Sequence, residues 1–288
     1  MKRLIPILFI VAIFSLVFIS CGKKDRTEPE SSEIKGEDIA YNPGKDEEIQ
    51  RYNLEILKQR TKTRTPCDTI ALMEYILNNF ERGTYLVYFD KTTTYNIPRP
   101  AVIYFNQGGN QYIFGVIVRN KPGERLIEPK NIIGYDQSFI DLDSTELGTA
   151  FFSLALFACN NGNFSVVWET PIPSHGGFNN ISIHRWKYKN TPFVRVNFHY
   201  ARGIGHIDYN YFMVRGTDSI PHLLMTYKGI DFQRTIANVN DDRYPDYYEY
   251  LFYNLPDRIY ARDSIAFIWN LKDSVYVNTR NSKQTRPY

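Results

Sequence analysis

The chain has 288 residues and carries 34 Lys and Arg against 31 Asp and Glu, a formal charge of +3. So small an excess excludes the strongly basic face that a nucleic-acid partner requires, and the length allows one sizeable core or two small ones. Tyr and Phe are abundant, at 22 and 19, which suits sheet faces and wet interfaces because Tyr joins an apolar ring to a polar tip.

The chain opens with Lys2 and Arg3, then an almost unbroken apolar run from Leu4 to Ile19, then Ser20-Cys21. The run is shorter than the roughly 20 apolar residues a spanning helix needs, contains Pro6, and gives way at once to Gly22-Lys23-Lys24-Asp25. Basic start, apolar middle and small-residue exit are the parts of a secretory signal peptide. With its cysteine, the stretch Phe18-Ile19-Ser20-Cys21 resembles a bacterial lipoprotein signal. The resemblance implies cleavage before Cys21, with Met1–Ser20 as the leader, and palmitate-type lipid on the Cys21 thiol and new N-terminus. The protein would then be held on a membrane of the cell envelope, facing the periplasm or the cell exterior.

From Cys21 to about Asp46 the residues are charged, Ser or Pro, with few apolar positions. Such a segment cannot bury enough surface to offset its ordering entropy and is expected to be a tether. Ile49, Tyr52, Leu54, Ile56 and Leu57 then predict a helix over Glu47 to Arg60. Ile70, Leu72, Met73, Tyr75, Ile76 and Phe80 predict a second, with Asp68 as N-cap and Gly83 as its stop.

After Thr84 the apolar period shortens to two. Strands are expected at Tyr85 to Phe89, Ala101 to Phe105, Tyr112 to Val118, Phe151 to Cys159 and Phe164 to Trp168. Gln107-Gly108-Gly109-Asn110 and Asn160-Asn161-Gly162-Asn163 carry hairpin chemistry between them. Further strands are expected at Ile181 to Ile183, Phe193 to Tyr200, Ile207 to Val214, His222 to Tyr227, Tyr247 to Tyr253, Ile265 to Trp269 and Val275 to Thr279, with a frayed end over Gln284 to Tyr288. The class is therefore mainly β, antiparallel, with two N-terminal helices, in a single domain over residues 47–288. No strong fixed-period repeat supports a propeller.

Of three cysteines, lipidation of Cys21 would leave Cys67 and Cys159, either as a disulfide or as two separately buried thiols. Oxygen-bearing side chains alternate at Asn238, Asn240, Asp242 and Asp246, with Tyr244 able to offer its carbonyl and Glu249 placed for a bidentate carboxylate. Alternation of this kind lets a curled loop point its oxygens at one calcium ion. The stretch resembles the calcium loops of integrin-type FG-GAP repeats more than an EF-hand, since Pro245 has no N–H to pair with a partner loop. The resemblance implies a structural ion. The competing reading is an Asn/Asp-rich turn held by side-chain-to-backbone bonds, with Arg243 at the position where a glycine would ease the curl.

All five histidines, His175, His184, His199, His206 and His222, fall within one stretch. Strand alternation sets Arg195, Asn197 and His199 on the face opposite Val194, Val196, Phe198 and Tyr200. A zinc or acid–base centre would draw on these histidines with Asp208, and Arg195 and Arg202 would suit an anion; ordinary surface histidines are the bland alternative. Ser174-His175-Gly176-Gly177 resembles a lipase oxyanion loop, yet the G-x-S-x-G elbow is absent. Two functions remain: an envelope lipoprotein that binds a protein or glycan, and an extracytoplasmic hydrolase built on His175–His222.

Overall fold

A computed structural model describes residues 43–87, 101–120, 150–173, 177–200 and 205–287. The leader, Cys21, the tether up to residue 42, Tyr88, Phe89, His175 and Arg202 lie outside the described residues. Residues Tyr41–Tyr288 form one compact unit, and the fold is mainly β with two N-terminal helices. Among the described residues no helix is long and apolar enough to cross a membrane.

Helix α1 spans Pro43–Arg60, starting four residues before the expected Glu47. Proline suits a first helical turn, where its missing N–H would have had no partner. Helix α2 spans Thr69–Asn79, and the Asp68 side chain accepts from Ala71 N as its N-cap. Phe80, in extended conformation, ends α2; Gly83, expected as that stop, instead takes a φ of 89° in the turn before the first strand. The helices are tied by Arg51, which donates to Asn78 Oδ1 and to the terminal-turn carbonyl of Leu77, and by Lys58, 2.7 Å from Glu74.

The first sheet holds β1 (Thr84–Leu86), β2 (Val102–Gln107), β3 (Asn110–Asn120), β4 (Ala150–Asn160) and β5 (Asn163–Ile172), with β1 and β2 both paired to β3. Its two hairpins use two-residue turns with positive φ at both positions, Gly108-Gly109 and Asn161-Gly162. That is the geometry matching the right-handed twist of the strands. One face of this sheet packs Leu86, Ile113, Ile117, Ala155 and Phe157 against Leu54, Leu72, Met73 and Ile76 of the helices.

The second sheet is a nine-stranded antiparallel meander in chain order: β6 (Gly177–Arg185), β7 (Pro192–Tyr200), β8 (Gly205–Phe212), β9 (His222–Lys228), β10 (Gln233–Ala237), β11 (Asp246–Asn254), β12 (Ile259–Asn270), β13 (Val275–Asn278) and β14 (Gln284–Thr285). Strand β10 was not foreseen; Gln233-Arg234-Thr235 hides it under polar residues. Strand β12 starts six residues earlier than Ile265. The terminus is no frayed end: Gln284 and Thr285 pair with β13, and Pro287 O accepts from Met225 N.

The two sheets pack face to face. Phe114, Val116, Leu154, Leu156 and Trp168 of the first meet Val194, Val196, Phe198, Tyr209 and Tyr211 of the second, all at most 5% exposed. Each such side chain contributes roughly 1.5–3 kcal/mol on burial. Trp168 Nε1 donates to Thr217 O at 2.7 Å and Tyr211 OH to Pro171 O at 2.9 Å, so these two polar tips are satisfied within the core.

Cys67, just before α2, and Cys159, near the end of β4, are joined in a disulfide with Cα atoms 5.9 Å apart and a sequence separation of 92. Closing a loop of that length removes chain entropy worth roughly 4–5 kcal/mol from the unfolded state. Replacing both cysteines by Ser should therefore lower urea-unfolding stability by about 3–5 kcal/mol. A loss under about 1 kcal/mol would mean that packing alone docks the helices.

Candidate functional site

Strands β6–β9 are in register, so residues directly opposite each other share a face. The face turned away from the first sheet carries four cross-strand rows. They are His184–Phe193–Phe212–His222, then Ser182–Arg195–Asn210–Leu224, then Asn180–Asn197–Asp208–Thr226, and last His199–His206–Lys228. The rows run from aromatic to charged.

The later strands return over this face. At its aromatic end Phe193, Phe212 and Leu224 join Trp186, Tyr247, Phe267 and Tyr276 in a second core. At its polar end β10 closes a cleft of about 240 Å³, lined by Arg195, His206, Asp208, Thr226, Lys228 and Arg234 among others. This cleft is the candidate site.

Its centre is Asp208, only 6% exposed. Asp208 Oδ1 accepts from Asn197 Nδ2 at 2.5 Å; Oδ2 lies 3.6 Å from Arg195 Nε and 3.8 Å from His206 Nε2. Arg195 Nε also donates to Asn210 Oδ1 at 2.9 Å, and Asn210 Nδ2 donates to Leu224 O and Thr226 Oγ1. A buried carboxylate survives when it is paired and hydrogen-bonded, and here the pairing holds Arg195 in place at the cleft wall. Across the cleft Arg234 donates to Glu249 Oε2 at 3.1 Å, and its guanidinium lies 4.2 Å from the Tyr247 ring centre and 4.9 Å from that of Tyr227.

The five histidines do not share one role. His206 is at the cleft. His199 is placed by its backbone alone, opposite His206. His184 bonds Ser182 Oγ at 2.8 Å and stacks on Phe193, and burial followed by the nearby Arg195 holds its imidazole below the usual range. His222 belongs to the second core: its ring meets Trp269, Tyr244 and Tyr276 edge to face. Tyr276 gives its one proton to Pro245 O, so His222 Nε2, 2.8 Å away, must be the donor to Tyr276. Among the described residues no three His, Cys, Asp or Glu side chains converge as metal ligands.

The Asn238–Glu249 stretch spends most of its side-chain oxygens on protein donors, while Asn238 Oδ1 is buried with no hydrogen-bond partner among the described residues. Asp246, fully buried, accepts from Val239 N, Asn240 N and Trp269 N. Burial lifts its carboxyl above the usual range in spite of these amides. Asn240 Oδ1 accepts from Asp242 N, Asp242 Oδ1 from Tyr244 N at 2.6 Å, and Asn238 donates to Asp241. Glu249, the fourth residue of β11, is held by Arg234. The left-handed residue of the turn is Asp241, φ 56°, a type that tolerates that conformation. Arg243, expected to bear that strain, instead rests 5.3 Å from the Tyr244 ring centre.

Sequence reasoning placed Arg195, Asn197, His199 and Asp208 near one another. It missed Thr226, Lys228 and Arg234, which arrive only when β10 folds back. No protein-family model, no curated protein and no solved structure matches the chain.

Two outcomes test these assignments. Calcium in place of chelator should leave the melting temperature of a loop held by its own amides unchanged; a rise of several degrees would show its oxygens regrouping around an ion. Burial depresses His222 from 6.5 to about 3. The unfolded chain therefore takes up a proton below pH 6.5 that the folded chain refuses until about pH 3. Stability should be whole above that window and fall by about 1.4 kcal/mol per pH unit within it. His222→Phe should flatten that slope, and an unaltered slope would assign it to other groups.

Proposed function

We propose that the chain is a cell-envelope lipoprotein, cut before Cys21 and anchored through lipid on that residue, whose β body is an interaction module. The N-terminal pattern supports the location. The outer half of the β11–β12 hairpin carries the interaction.

Leu251, Tyr253, Leu255, Ile259 and Tyr260 are each about two-fifths exposed, at 38–43%. Tyr253 and Tyr260 are cross-strand partners with stacked rings 6.3 Å apart. Arg262 lies 4.8 Å from the Tyr253 ring centre and Arg258 5.7 Å from that of Tyr260. A monomer gains nothing by showing water so many large apolar side chains together. Stacked Tyr flanked by Arg is the composition from which interface hot spots are made. Asp263 is already engaged by Arg280 at 2.6 Å, so Arg258 and Arg262 suit a protein partner that offers an apolar groove with carboxylates at its rim. Calcium at the Asn238–Glu249 turn, if bound, would stiffen the base of this hairpin.

The hydrolytic alternative rests on His206 and Asp208. Their 3.8 Å separation is longer than a hydrogen bond, and the binding reading is preferred.

A photoreactive benzophenone residue at Leu255, in the full-length chain in intact cells, should trap one discrete envelope protein. Replacing Tyr253 and Arg262 by Ala should remove that adduct through at least about a thirty-fold loss of affinity, near 2 kcal/mol. Cys21→Ser should release the chain from the membrane fraction. An adduct indifferent to the double substitution would overturn the hairpin reading. A mature Cys21 without lipid would overturn the location.

A further inference from the structure

We infer that the outward face of α1 rests on a lipid surface, with Ile49, Tyr52 and Ile56 at the headgroup level of the membrane. The inference rests on the location proposed above and is independent of the hairpin and its partner.

Helix α1 carries apolar side chains on two opposite sides. Leu54, 3% exposed, and Leu57 pack with α2 and the first sheet. Glu47, Arg51 and Lys58 lie on the same side as Leu54 and tie α1 to Arg82, Asn78 and Glu74. At about 100° of turn per residue, Ile49, Tyr52 and Ile56 fall on the other side, in one stripe with Asn53 and Arg60. Ile49 is 47% exposed and Tyr52 68%, and Ile56 is half-buried. One apolar stripe docks the helix on its own core, and the second is left for another neighbour.

Chain length selects lipid as that neighbour. Helix α1 begins 22 residues after Cys21. Even fully extended, that stretch spans at most roughly 80 Å. Lipid on Cys21 therefore keeps the stripe near a bilayer at an effective concentration on the order of millimolar. Three apolar side chains are too few to hold a free protein on a membrane, and a second signal added to an anchor is enough. A soluble partner has no such advantage.

The side chains also match the depth. Tyr sets an apolar ring below the headgroups and its hydroxyl among them. Arg60 on the stripe and Lys62 just past it are exposed, and their long stems reach back to anionic headgroups. Glu48 and the Lys58-paired Glu55 sit on the flank, roughly 100–120° from Ile49, where they keep water. No helix among the described residues can cross a membrane, so α1 lies along the surface.

The test couples the chain from Cys21 onward, which contains the whole compact unit Tyr41–Tyr288, to maleimide phospholipid in vesicles of phosphatidylethanolamine and phosphatidylglycerol. Cys67 and Cys159 are bonded to each other, so Cys21 is the thiol that reacts, and the anchor is supplied whether or not the cell lipidates it. Dansylalanine replaces Asn53, exposed beside Tyr52, or as a control Lys272, exposed on a distant turn. Nitroxide-labelled lipid should quench the probe at position 53 at least about threefold more than at position 272. Ile49→Ser with Tyr52→Ser should abolish the difference at an unchanged melting temperature. Arg60→Gln with Lys62→Gln should weaken docking by about fivefold or more. Equal quenching at both positions, or quenching at position 53 that survives the double serine variant, would overturn the face. A blue-shifted probe at position 53 that labelled lipid does not quench would mean that protein covers the stripe, and would overturn lipid as its neighbour. Absent quenching on these coupled vesicles strikes the docking alone, whereas a native Cys21 without lipid strikes the location.

Discussion

The packing of the β6–β9 face on the first sheet is the constraint from which the rest of the molecule follows. Val194, Val196, Phe198, Tyr209 and Tyr211 are committed to that contact, and all are essentially without solvent exposure. A strand has only two faces. Once one is spent on the core, Arg195, Asn197, Asp208 and Asn210 have a single direction left. Slipping any of these strands by one residue would exchange buried valines for a buried arginine and aspartate, so the register is strongly specified.

A second consequence concerns how a nine-stranded meander disposes of its other face. The aromatic row Phe193–Phe212 cannot stay in water, and the C-terminal strands return to cover it with Tyr247, Phe267 and Tyr276. The polar rows beyond need no such cover, because their groups bond one another: Asn197 to Asp208, Asn210 to Thr226, Arg195 to both Asn210 and Asp208. Cover at one end and self-satisfaction at the other leave a cleft where they meet. It is therefore a by-product of the same alternation that builds the core, and its walls are held by cross-strand hydrogen bonds and not by loops.

The turn at Asn238–Glu249 shows how far a pattern of oxygens underdetermines their use. Alternating Asn and Asp side chains serve equally to ring an ion or to cap exposed amides, since both need an oxygen at every second position. Asp246 sits where three backbone N–H groups converge from two segments, and one of these, Trp269 N, is distant in sequence. The donor that completes this set belongs to β12 and is invisible from the turn itself. Glu249 likewise finds Arg234 across the β10–β11 ladder.

What the residue order determined alone was local. Gly108-Gly109 and Asn161-Gly162 announced their hairpins because few other pairs accept two positive φ angles. Asp68 announced a helix cap, and alternation from Phe193 sorted the two faces of β7. Three matters were decided only by the tertiary structure: the junction of Cys67 with Cys159, the withdrawal of His222 into an aromatic core, and the assembly of Arg195, Asp208, Lys228 and Arg234 around one cleft. Each depends on where strands distant in sequence come to lie. That placement is set by which apolar faces must be covered together, a property of the whole sheet that no single stretch carries.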